Sequence, residues 1–84
     1  MAKNLLTVWP KISKMRGLGN MSDCTPAHML SIYSRGIMGR RIPESNVQFL
    51  GVDDANKIVD KMLEMYCSSS YLNWCRELKR AINA

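Results

Sequence analysis

The chain is expected to be all-α: a small three-helix bundle preceded by an N-terminal arm or short extra helix. Three observations predict this. Apolar residues recur at spacings of three and four from Asp53 to Ile82, which places them on one face of a helix. A Thr25–Pro26 pair opens a further apolar stripe that runs into Gly36 and Gly39. A short serine turn, Ser68–Ser70, makes the last two helices antiparallel neighbours. The bulk numbers agree with one small domain: 84 residues, 46% hydrophobic and 23% charged, which is ordinary globular composition. A core is feasible at this length, but not a core together with a deep catalytic cleft.

Residues 1–20 are read as a basic N-terminal arm or short helix and residues 21–84 as one helical domain. Leu5, Leu6, Val8, Trp9 and Ile12 form an apolar face. Pro10 interrupts a continuous helix, and Gly17 and Gly19 end whatever forms. The expectation is an anchored segment that packs Trp9 onto the body.

The first main helix begins at Thr25–Pro26. Thr is a good N-cap, and Pro suits the first helical position because its missing N–H has no intrahelical acceptor there. Met29, Leu30, Ile32, Tyr33 and Ile37 give the stripe, and Gly36 and Gly39 supply the stop. Residues 40–51 read as a loop, since Pro43 biases Ile42 away from helical geometry and Ser45–Asn46 favours a turn. Val47, Phe49 and Leu50 are expected to tuck inward.

The second main helix is expected to be capped by Asp53, with Asp54 at the positive end of the dipole. Its buried face is Ala55, Ile58, Val59, Met62, Leu63 and Tyr66, and Cys67 ends it. Ser69 or Ser70 caps the last helix, Tyr71 to Ile82. There Tyr71, Cys75, Leu78 and Ile82 form the stripe, widened by Trp74 and Ala81. The expected core is Leu30, Tyr33, Ile58, Val59, Met62, Leu63, Tyr66, Trp74, Leu78 and Ile82.

Net charge is +5, and its distribution is more informative than its total. Lys3, Lys11, Lys14 and Arg16 stand without an acid in the first twenty positions, and Arg35, Arg40 and Arg41 follow. The segment from Pro43 to Cys67 turns acidic through Glu44, Asp53, Asp54, Asp60 and Glu64. Arg76, Lys79 and Arg80 make the last helix basic again. Such a pattern suits an anionic partner, and it equally serves solubility and internal complementarity.

Three cysteines, Cys24, Cys67 and Cys75, leave pairing open. In a reducing compartment they are buried small hydrophobes, a reading that fits Cys75 on its apolar stripe. In an oxidising one a pair could bridge. A Cys24–Cys67 bond would staple two helix ends, closing a loop of about 43 residues for roughly 4 kcal/mol by chain entropy. With His28 the cysteines make four zinc-type ligands, but Cys-x3-His and Cys-x7-Cys are not spacings of a standard zinc module. No metal and no cofactor is expected. His28 lacks an orienting carboxylate for nucleophilic chemistry, and no P-loop or dinucleotide fingerprint is present, so the chain is read as a non-enzyme.

From Cys24 to Ile82 the pattern resembles small helical periplasmic proteins of the HdeA-like acid-stress chaperone kind, and secreted helical immunity proteins. The matching residues are Cys24 opening a helix, the Gly36–Gly39 helix end, a capped helix ending Tyr66–Cys67, and a final helix closing on Arg80–Ala81–Ile82. Cys75 and the basic first twenty residues have no counterpart. The resemblance implies a Cys24–Cys67 disulfide and a function of binding other proteins. The small basic body is also similar, as a class, to the short inhibitors that phages encode against host machinery.

The function expected is therefore non-enzymatic binding and inhibition or neutralisation of a protein partner with an acidic surface. The expected contacts are Arg35, Arg40, Arg41, Arg76, Lys79 and Arg80. The alternative is a basic nucleic-acid-binding domain, with the last two helices as a helix-turn-helix. Against it, the turn lacks the usual glycine, and the basic residues fall late in the second helix. The longest apolar run is far below the about 20 residues of a membrane span. Leu5–Trp9 is too short for an export signal, so the chain is read as cytoplasmic, or periplasmic if it is a processed mature form.

Overall fold

The computed structural model describes residues 3–17, 24–65 and 68–84. Three main helices make up the body: α2 (Pro26–Met38), α3 (Val52–Glu64) and α4 (Ser69–Ile82). A 3-10 turn, Leu5–Thr7, and a single-turn helix, α1 (Trp9–Ile12), precede them. The all-α expectation holds. Tyr66 and Cys67, expected in the core and at a helix end, lie outside the described residues.

Local chemistry explains most boundaries. The Thr25 hydroxyl accepts the His28 N–H at 3.3 Å, with Pro26 at the first helical position, so α2 starts as its sequence directs. It stops at Gly39, whose φ of 76° closes the helix in the left-handed region. Gly36 is not part of that stop; it sits inside α2.

Two caps differ from expectation. α3 begins at Val52 with Gly51, not Asp53, at the cap. The reason is tertiary: the free Val52 N–H donates to the Lys3 carbonyl at 2.8 Å, and Leu5 N–H donates to Leu50 O at 2.9 Å. Backbone from the N-terminal segment thus satisfies a helix-start donor that a side chain would otherwise cover. Asp53 and Asp54 remain in the first turn, where the helix dipole favours them. α4 is capped by Ser68 rather than Ser69 or Ser70, its side-chain oxygen accepting the Tyr71 N–H at 3.1 Å.

Residues 40–51 are more ordered than a loop. Glu44–Phe49 forms a 3-10 helix that packs back along α2. With three residues per turn, Val47 and Leu50 share the inward side, and both are buried. Phe49 falls outside that side and is 56% exposed, contrary to expectation. Ile32 is also corrected, at 41% exposure. The sides of α2 that face inward carry Leu30, Ser31 and Ser34, because the two serines bond the returning chain at Ile42.

α3 packs against both α2 and α4. Its register with α4 is antiparallel along its length. The Asn56 and Asn83 amides exchange hydrogen bonds of 2.9 and 2.8 Å at one end. Lys79 pairs with Asp60 midway. Tyr71 donates its hydroxyl to the Met62 carbonyl at 2.8 Å at the other end. Between the helices Ala55, Ile58, Val59, Met62, Cys75, Leu78 and Ile82 are buried.

Of the remaining expected core, Leu30 and Trp74 are buried, and Tyr33 and Leu63 are half-buried against it. The N-terminal segment contributes more than an anchoring Trp9. Leu5, Val8 and Ile12 are themselves core residues, while Trp9 is only partly covered. Burial of Leu5 and Ile12 is worth about 1.5–3 kcal/mol each.

Candidate functional site

The six basic residues expected to meet a partner occupy two places. Arg35 lies in the last turn of α2, and Arg40 and Arg41 follow its Gly39 cap. Arg76, Lys79 and Arg80 lie on α4. Helix α3 packs extensively on both supporting helices.

The residues differ in what already holds them. Lys79 is committed to Asp60. The Arg41 Nε–H donates to the Ser31 hydroxyl at 3.2 Å, which ties its side chain back onto α2. Arg35, Arg40, Arg76 and Arg80 are exposed, and among the described residues none forms an ion pair.

Three of the described acids, in contrast, have a basic or imidazole side chain beside them. Glu44 lies 3.2 Å from His28, Glu64 lies 3.7 Å from Lys61, and Asp60 holds Lys79. Asp53 and Asp54 face the α3 helix start. Glu77, on α4 between Arg76 and Arg80, forms no ion pair among the described residues.

The structure adds partners that linear reading did not group. The Trp74 indole N–H donates to the Arg16 carbonyl at 2.8 Å, which lays the basic N-terminal segment beside α4. Lys11, Met15, Glu77, Arg80, Ala81 and Ala84 then line one open groove of about 430 Å³. Only Arg80 of these was expected at a contact surface. In the sequence Lys11 contributes only to the basic N-terminal charge, and no local spacing places it next to α4.

Cys24 is half-buried and Cys75 fully buried, both as free thiols. The Cys24–Cys67 bond implied by the resemblance falls on Cys67, outside the described residues. Burial raises the Cys75 thiol above its ordinary range, partly offset by a hydrogen bond with Tyr71. Burial also raises the Tyr71 phenol, with Cys75 and Tyr33 beside it adding to the shift. Both groups thus stay protonated and packed at neutral pH. Among the described residues no three His, Cys, Asp or Glu side chains gather closely enough to hold a metal ion, and no helix is long and apolar enough to cross a membrane.

These features define a small all-α protein with a net positive charge and an open groove beside α4. Compared with known proteins, the chain matches no family model, no curated protein and no solved structure.

Proposed function

We propose that this is a non-enzymatic helical protein that binds an acidic surface on another protein and inhibits or neutralises it. Inhibitor and immunity proteins, including phage-encoded anti-host or anti-defence proteins, act in this way. The observation that carries the reading is a set of exposed arginines: Arg35, Arg40, Arg76 and Arg80 are solvent-facing and form no ion pair among the described residues. Exposed cations of this kind steer encounter and select partners more than they stabilise a fold.

The antiparallel pairing of α3 and α4 also favours protein over DNA as the partner. A helix-turn-helix crosses its helices at about 90–120° so that the second can enter a groove. Here contacts at Asn56–Asn83, Asp60–Lys79 and Met62–Tyr71 run along the pair instead.

The test is affinity capture from nuclease-treated native extract, run in parallel with wild type and with Arg40→Glu/Arg41→Glu and Arg76→Glu/Arg80→Glu variants. The expected result is a defined polypeptide retained by wild type and lost from at least one charge-reversed variant. A polypeptide captured from untreated but not from nuclease-treated extract, or one that no charge reversal affects, contradicts the proposal.

A further inference from the structure

We infer that the groove between α1 and α4 is the docking site, and that its occupant is an acidic amphipathic segment of a partner protein. This rests on the reading that the chain recognises acidic proteins, and it names the surface and the partner's chemistry.

Two kinds of lining support it. Lys11 and Arg80 are exposed cations contributed by different parts of the chain, while Met15 and Ala81 are half-buried and form an apolar floor. The Trp74–Arg16 hydrogen bond holds the two segments that supply this lining together. One carboxylate, Glu77, stands within the lining, so carboxylates of the occupant must fall on the Lys11 and Arg80 sides. An unbranched thioether such as Met15 adapts to varied apolar side chains. Single-stranded nucleic acid would instead call for aromatic stacking surfaces, and the groove lining contains none.

The full-length ¹⁵N-labelled protein should be titrated with a synthetic glutamate/leucine amphipathic peptide, its glutamine/leucine counterpart, and a single-stranded DNA oligonucleotide. The acidic peptide is expected to shift the amides of Lys11, Met15, Arg80 and Ala81. The glutamine version should bind about tenfold or more weakly, as should Lys11→Glu/Arg80→Glu and the milder Lys11→Gln/Arg80→Gln. Lys57→Glu, at an exposed position of α3 outside the groove lining, should leave binding unchanged. Acidic-peptide binding centred on Arg35 and Arg40 overturns the groove while keeping the broader reading. Binding of the oligonucleotide but of neither peptide overturns both.

Discussion

The indole N–H of Trp74 donates to the main-chain carbonyl of Arg16 at 2.8 Å. This bond joins α4 to a segment far away in sequence, the same two stretches that supply the groove lining. Trp74→Phe keeps most of the apolar contact but removes the donor. The expected cost is about 1–2 kcal/mol in a urea melt, with faster amide exchange across residues 11–16. Unchanged exchange there would show that the N-terminal segment is held by Leu5 and Ile12 alone.

Ser31 and Ser34 clasp Ile42. The Ser31 hydroxyl donates to the Ile42 carbonyl at 2.6 Å, and the Ser34 oxygen accepts the Ile42 N–H at 2.9 Å. Both serines are fully buried, so Ser34→Ala leaves an N–H without its partner. The expected loss is about 1–3 kcal/mol. Because the two serines share one clasp, the double alanine variant should cost less than the sum of the singles. Chemical denaturation of the three variants checks this.

The glycine inside α2 and the glycine at its C-terminal cap should respond in opposite senses. Gly36 is exposed within the helix, and an added Cβ would meet nothing nearer than 3.9 Å. Gly36→Ala is expected to stabilise by about 0.5–1 kcal/mol. Gly39 has a φ of 76°, a region costly for residues with a Cβ, so Gly39→Ala should destabilise by about 1–2 kcal/mol. Thermal melts showing the same sign for both would contradict the assigned helix end.

Alkaline pH should weaken the fold. Cys75 and Tyr71 both have folded-state pKa values raised by burial. The unfolded chain therefore loses these protons first, at about pH 8.5 for the thiol and about pH 10 for the phenol. Above those values the native state holds more protons than the unfolded state, so stability falls as pH rises. It is fully present below about pH 8.5. Urea midpoints measured from neutral to alkaline pH should decline, and Cys75→Ala should delay the onset toward the tyrosine range. A flat profile would contradict the buried placement of both groups.

Much of this architecture can be read from residue order alone. Thr25–Pro26 and the Ile58–Val59–Met62 spacing carry their own helix signals, and α2 and α3 appear where those signals lie. The departures have separate causes. Asp53 was a sound local cap, yet the Lys3 backbone took over the helix start from far away in the chain. Ile32 belongs to the expected apolar stripe of α2, but Ser31 and Ser34 turn inward to bond Ile42. Phe49 obeys a three-residue turn that a loop assignment does not anticipate. For the candidate surface, the Arg80 side was visible as helical charge. The Lys11 and Met15 side needed the fold, since only tertiary packing brings those residues to α4.

The most direct test of the central claim is the salt dependence of affinity between this protein and its captured partner, compared for wild type and Lys11→Glu/Arg80→Glu. The account predicts that wild-type affinity falls as salt rises. It also predicts that the variant binds about tenfold or more weakly at low salt, with a flatter dependence. Superimposable curves for the two proteins would contradict it.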